Sequence, residues 1–274
     1  MALLLNAPGA IAGAFTPESG GSPNADEISS LYKLTLVIAI IVFVGVEGAL
    51  IYSLVKFRAR KGRTAAQIHG NTRLEIGWTI VPALILVLLT VVTFVKLGPI
   101  QDPQNSDPNG LKTQGVVLEA STKVITPPDG HKLNVCVTGR QYIWRFTYAA
   151  DCNNAYGKPY TYGELTVPAN TTVTLDIQST DVAHSWWIPK LGGKFDAIPG
   201  YHNYTWFKAP TPGKVYTGAC AELCGRNHAN MLASVRVVTP VEYQGFMSNL
   251  TQNISSANKR SSQLRDALRR AGQL

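Results

Sequence analysis

Two thiols, two imidazoles and a thioether lie close enough along this chain to share one metal site. The run Cys220-Ala-Glu222-Leu-Cys224-Gly-Arg-Asn-His228-Ala-Asn-Met231 gathers two cysteines, a histidine and a methionine within twelve residues. Such a run can fold as a single loop between two strands. His184, in Asp181-Val-Ala-His184-Ser-Trp-Trp-Ile-Pro189, would complete the set from a neighbouring strand end. Thiolate and thioether donors are soft, and they select copper or another soft metal over magnesium or calcium.

Other uses of these residues explain fewer of them. A Cys220–Cys224 disulfide, conceivable in an oxidising compartment, leaves His228 and Met231 without a role. A structural zinc site could use Cys220, Cys224, His228 and His184, but it gives Met231 no part and the spacing is not that of a zinc finger. Covalent haem attachment needs Cys-x-x-Cys-His, which is absent from the sequence. A single blue-copper ion takes two histidines, one cysteine and a weak axial methionine. That leaves one thiol over, and the surplus points to a second copper.

The rest of the chain must hold this loop, and its 274 residues divide into unlike regions. Wholesale disorder is excluded, because 45% of the residues are hydrophobic and only 15% charged. No internal repeat is visible. The net charge of +8 is local. Residues 56–74 carry Lys56, Arg58, Arg60, Lys61, Arg63 and Arg73 with no acid, and residues 258–274 carry five basic side chains against Asp266. Residues 98–256 are nearly balanced, with 12 basic and 11 acidic side chains. Nucleic-acid binding, which needs a basic face on the folded domain, is therefore not expected.

Leu34–Val55 is a 22-residue apolar run broken only by Glu47, and Ile76–Val95 is a 20-residue run without charge. Each can cross a hydrocarbon core of about 30 Å. The alternative, a pair of buried helices in a soluble bundle, leaves the basic loop between them unexplained. By the positive-inside rule that loop is cytoplasmic, and the N-terminus and everything beyond about residue 97 lie outside. Glu47 is costly in lipid and is expected to face protein or to snorkel at the helix end. Residues 1–15 are apolar but lack the positive start of a good leader, so cleavage stays open. Residues 16–30 read as a flexible outer segment. Thr72 with Glu75 offers a capping box for the second helix.

Beyond residue 111 the pattern turns to short strands: Gln114–Ala120, Lys132–Val137, Tyr142–Tyr148, Leu165–Pro168, Thr172–Ser179, Asn203–Lys208, Gly213–Ala219 and Ala233–Val238, separated by Pro/Gly turns. This order predicts an all-β sandwich or barrel. Val241–Leu250 and the basic tail Gln263–Ala271 are helix-compatible, and the tail is suited either to an anionic lipid surface or to a merely solvated helix. The expected organisation is an outer segment (1–30), a helix hairpin (31–97), an outer β domain (98–256) and a basic tail (257–274).

With those residues in place, the loop resembles the CuA loop of cytochrome c oxidase subunit II, whose pattern is Cys-x-Glu-x-Cys-x3-His-x2-Met. Asp181–Pro189, Asp196-Ala-Ile-Pro-Gly200 and Glu75-Ile-Gly-Trp78-Thr-Ile-Val-Pro82 resemble the family's other signatures, and the likeness covers about residues 26–250. It implies two N-terminal transmembrane helices followed by an all-β, cupredoxin-like Greek-key domain. It also implies a binuclear copper centre bridged by Cys220 and Cys224. In that reading His184 and Met231 complete one copper, and His228 and the backbone carbonyl of Glu222 complete the other. The Glu222 carboxylate resembles the family's magnesium or manganese ligand at the boundary with subunit I; a solvated loop carboxylate is the plainer alternative. Glu75 resembles the carboxylate at the mouth of a proton pathway, where the plainer role is that of a helix N-terminal acid. Gln141-Tyr142-Ile-Trp144-Arg-Phe146-Thr-Tyr148 resembles the aromatic strand beneath the copper site. Many relatives have Trp at the position of Tyr142, where electrons arrive from cytochrome c. Tyr142 and Trp144 are the candidates here, with core packing as the alternative.

The implied function is that of an electron-accepting subunit in an oxidoreductase and proton translocase of the respiratory chain. Electrons from cytochrome c would pass through this chain to haem in subunit I, where oxygen is reduced to water. Implied partners are subunit I, other oxidase subunits, cytochrome c and membrane lipid, in a bacterial cell membrane or the mitochondrial inner membrane. The main alternative is a membrane-anchored cupredoxin for copper binding or delivery, for which one span would suffice. A quinol-oxidase subunit II is a second alternative, but it comes without these copper ligands. Cys136 and Cys152 fall outside the family's pattern, and the sequence leaves open whether they meet in a disulfide.

Overall fold

The computed structural model describes residues 16–58, 62, 67–111 and 126–273. The leader question at residues 1–15, the expected strand Gln114–Ala120 and the loop residues Arg60, Lys61 and Arg63 lie outside the described residues. The chain forms two compact units, one built on Ser29–Gly98 and the other on Pro17–Ile28 with Pro99–Leu274.

The first unit carries most of two long helices, α1 (Pro23–Lys56) and α2 (Thr72–Gln101). Both contain windows long and apolar enough to span a bilayer, and no residue of those windows is buried. Ile41 is 68% exposed and Leu54 75%. Helices that bare this much hydrocarbon are built for lipid, since a soluble bundle would cover it. The chain is membrane-anchored. The cap of α2 sits one residue earlier than the sequence suggested. The Asn71 side-chain oxygen accepts from the backbone N–H groups of Arg73 and Leu74, and Glu75 Oε1 accepts from the Asn71 N–H. Asn is among the best N-caps, and Thr72 becomes the first helical residue.

The second unit is a β sandwich. Among the described residues one sheet has five strands in the order β3 (Tyr160–Tyr162), β2 (Ile143–Thr147), β1 (Leu133–Arg140), β5 (Thr172–Ser179), β8 (Asn203–Lys208). The other has three, in the order β4 (Glu164–Pro168), β10 (Leu232–Val238), β9 (Val215–Ala219). A short ladder pairs β6 (His184–Trp186) with β7 (Phe195–Ala197). The parallel pairings β1–β5 and β4–β10 join strands distant in sequence, so the chain crosses between sheets rather than meandering. Alternation sets the core. Val135 and Val137, Val173, Leu175 and Ile177, Leu165 and Val167, and Val235 and Val237 point inward and are fully or almost fully buried. Strands β3, β6 and β7 are not foreseeable from the sequence, because three residues are too few to show alternation.

Three features tie the sandwich together. Cys136 on β1 and Cys152 are joined in a disulfide, which answers the question the sequence left open. Tyr148 Oη donates to the Thr166 carbonyl and accepts from the Thr166 N–H, linking the two sheets, and burial pushes its phenol up to about 12. The helix α3 (Pro240–Arg270) is one continuous element where two pieces were expected, and it opens with a full capping box between Thr239 and Glu242. The segment read as flexible is also tied down. Ser22 Oγ accepts from the Lys208 N–H at 3.0 Å, and Asn24 Nδ2 donates to the Trp206 carbonyl at 2.7 Å. Among the described residues strand β8 ends its sheet, and these polar side chains satisfy backbone groups along that edge.

Candidate metal centre

The loop between β9 and β10 is closed at its base by the Cys220 N–H donating to the Met231 carbonyl at 2.9 Å. It is pinned to β6 by the Ala221 N–H donating to the Ser185 carbonyl, also at 2.9 Å. That second bond sets His184 beside Cys220, although 36 residues separate them. Gly139 makes room for the imidazole, because a side chain there would meet His184 Cδ2 at 2.9 Å.

Within this frame the ligand atoms converge. The two sulfurs stand 3.9 Å apart. Cys220 Sγ lies 3.8 Å from His184 Nδ1 and 3.2 Å from the Glu222 carbonyl. Cys224 Sγ lies 3.5 Å from His228 Nδ1 and 3.8 Å from Met231 Sδ. Ligands bound at about 2.0–2.3 Å to one tetrahedral ion are about 3.3–3.8 Å from each other. The spacings here match a shared metal site, with donors on both sides of the sulfur pair. His184, Cys220, Cys224 and Met231 are buried and His228 is half-buried. The Glu222 side chain is exposed, so only its carbonyl joins the cluster.

Asp181 prepares His184. Its Oδ1 takes the ring's Nε2 at 2.9 Å, and its Oδ2 accepts from the Gln141 N–H at 2.8 Å. Burial pushes the Asp181 carboxyl up, but hydrogen bonds from the Gln141 N–H, the His184 ring and the Val182 N–H outweigh it and hold the group at about 2. An ionised acceptor keeps the proton on Nε2 and leaves Nδ1 as a lone-pair donor toward Cys220. Burial and the neighbouring Cys220 sulfur push the Cys224 thiol up to about 11. A bound cation is therefore what makes a thiolate stable at neutral pH. Two soft sulfurs, a thioether and two imidazoles, all but His228 buried, fit copper.

Gln141 is a positioning residue that its sequence did not single out. Its Nε2 donates to the Cys224 carbonyl at 2.6 Å while its backbone serves Asp181, so one residue braces both halves of the site. The one available signal was its place beside Tyr142. The Tyr142 hydroxyl lies against Gly225, where a side chain would meet it at 2.8 Å. Trp144 is fully buried, edge-on to His184 at 5.9 Å and to Trp186 at 5.8 Å. Glu75 lies in the first turn of α2, where the structure shows its helix-capping bond.

A membrane anchor carrying a β sandwich with a soft-metal loop defines a membrane-bound metalloprotein domain. Residues 160–238 match the family described as cytochrome C oxidase subunit II, periplasmic domain, and residues 11–95 match its transmembrane domain. The cytochrome c oxidase subunit 2 of Synechocystis is 33% identical over 83% of this chain and 73% of its own length. That of Alkalihalophilus pseudofirmus is 30% identical over 85% of this chain, which spans 61% of that relative's length. A crystal structure of the periplasmic domain of the Bradyrhizobium japonicum subunit II shares 31% identity, covering 45% of this chain and 96% of that one, with a TM-score of 0.41. The chain belongs to the cytochrome c oxidase subunit II family.

Proposed function

We propose that this chain receives electrons from cytochrome c and hands them to haem in subunit I of a haem–copper oxidase, where oxygen is reduced to water and protons are translocated. The observation that carries this reading is the pair of cysteine sulfurs 3.9 Å apart with imidazole, thioether and carbonyl donors around it. Cys220 and Cys224 would bridge two coppers. His184 and Met231 would complete one, and His228 with the Glu222 carbonyl the other. When bound, the pair supplies one-electron storage with the unpaired electron shared across the thiolates.

The protein's part is to keep those donors still. Asp181 fixes the ring of His184, Gln141 fixes the Cys224 carbonyl, the two ends of the loop are bonded to each other, and Ala221 is bonded to β6. Donors that do not move between oxidation states lower the barrier to electron transfer. Burial of the sulfurs excludes water and competing chemistry. Of the two aromatic candidates, Tyr142 is half-buried and touches the loop, and Trp144 is wholly internal. Electrons would therefore arrive at Tyr142, with Trp144 packing His184 from behind. The exposed Glu222 carboxylate would share magnesium or manganese with subunit I, and Glu75 would admit protons from the cytoplasmic side. The β domain would lie outside the cytoplasm, in a bacterial cell membrane or the mitochondrial inner membrane, and the Cys136–Cys152 disulfide suits such an oxidising compartment.

Rapid mixing of the purified oxidase with reduced cytochrome c under anaerobic conditions tests this order. The copper signal should change before the haem is reduced. Haem reduction ahead of copper would contradict the reading.

A further inference from the structure

The start of α3 is seated on the β domain. Tyr243 is buried, and Phe246, Met247 and Leu250 pack against the core, with Tyr148 edge-on to Phe246 at 5.9 Å. From Thr251 to Arg270 the helix continues with every side chain exposed or half-exposed. Its apolar stripe does not stop where the β domain does. Tyr243, Met247, Leu250, Ile254, Ala257, Ser261, Leu264, Leu268 and Ala271 follow one another in alternating steps of four and three. That spacing keeps them on a single face. Leu264 on this face is 61% exposed.

The charges are arranged around the stripe. At about 100° per residue, Arg260, Arg265 and Arg269 lie about 60–100° to either side of Leu268, while Asp266, the one acid, is about 160° away. Lys259 and Arg270 cover the far side. Among the described residues none of these five basic side chains pairs with a carboxylate. The free part of α3 is thus an apolar strip with cationic flanks.

We propose that Thr251–Arg270 lies on an anionic phospholipid surface. Ile254, Leu264 and Leu268 enter the boundary layer between headgroups and acyl chains, and Arg260, Arg265 and Arg269 reach the phosphates. The chain's own membrane helices keep that surface at high effective concentration, so a short stripe is sufficient. A second copy of the chain is a poorer occupant. In a parallel pair Arg260 would face Arg265 of the other helix, and Ala257 and Ser261 would contribute little to a buried seam. An acidic protein face is also disfavoured, since the free part of the helix, Thr251–Arg270, holds no aromatic residue to anchor a protein interface.

The test uses the full chain in lipid nanodiscs of phosphatidylcholine alone or enriched in phosphatidylglycerol, with hydrogen–deuterium exchange read on residues 251–271. Exchange should slow at least about tenfold in the anionic discs and recover at about 1 M salt, where charges are screened within about 3 Å. Arg260→Glu with Arg265→Glu should abolish the difference while residues 240–250 exchange as before. Arg260→Gln with Arg265→Gln should reduce it, which separates lost attraction from a broken helix. Equal exchange in both lipids would overturn the proposal. So would protection in zwitterionic discs that requires the other oxidase subunits, which would assign the strip to an acidic protein face. Protection that rises with protein concentration would assign it to a second copy and would overturn it equally.

Discussion

The Asp181 carboxylate holds the fully buried ring of His184 by its Nε2 at 2.9 Å, which leaves Nδ1 facing the Cys220 sulfur. Replacing this partner should cost metal affinity rather than fold. Asp181→Asn is expected to weaken copper retention about 10–100-fold against a chelator, with the β-sheet signal unchanged. Unaltered retention would mean that His184 is oriented by packing alone.

The same carboxylate gives a pH prediction. Its folded value of about 2 lies below the ordinary 3.8, so its contribution to stability is fully present above about pH 4 and is lost as pH falls toward 2. Acid unfolding curves of the wild type and Asp181→Asn should therefore converge below that window and separate above it. Parallel curves throughout would contradict the assignment.

How the sequence and the structure compare is clearest at this site. His184, Cys220, Cys224, His228 and Met231 were legible because their side chains announce soft-metal chemistry and four of them share one loop. Asp181 and Gln141 were not, because their roles depend on a hairpin turn and a three-residue strand being brought together across about forty residues. Long alternating strands such as Thr172–Ser179 and Asn203–Lys208 were read with the bounds they have. The segment around Ser22 and Asn24 is rich in Gly, Ser, Pro and Asn and so looks flexible in sequence; its order comes from β8, whose backbone gives those side chains something to bind.

The disulfide should matter for stability and not for copper. Cys136 and Cys152 are 16 residues apart, and a loop of that size constrains the unfolded chain by about 3 kcal/mol. Cys136→Ala with Cys152→Ala should lower the β domain's unfolding free energy by about that amount and leave the copper content intact. Loss of copper in the folded double variant would show that the bridge reaches the metal loop.

Glu75 offers a clean separation of roles. Its Oε1 accepts the Asn71 N–H, and a glutamine oxygen can do the same. Glu75→Gln should keep α2 and the copper centre while slowing turnover of the assembled oxidase. Unchanged turnover across pH would leave Glu75 as a helix cap only.

Docking of cytochrome c should depend only weakly on salt. The β region carries 12 basic and 11 acidic side chains, and Lys194 sits over the Trp187 ring at 4.8 Å beside the metal loops. A basic donor would meet little net attraction at physiological ionic strength, where the Debye length is about 8 Å. Apolar contact around Tyr142, Trp187 and the exposed Leu223 would carry the encounter. A steep fall in the rate of reduction with added salt would point instead to a local acidic patch around Asp196.

Metal analysis with electron paramagnetic resonance on the copper-loaded full chain tests the central claim most directly. Two bridging thiolates predict two coppers per chain and a mixed-valence signal with the electron shared between them, a signal that Cys224→Ser abolishes. One copper per chain with an ordinary four-line blue-copper spectrum would contradict the account.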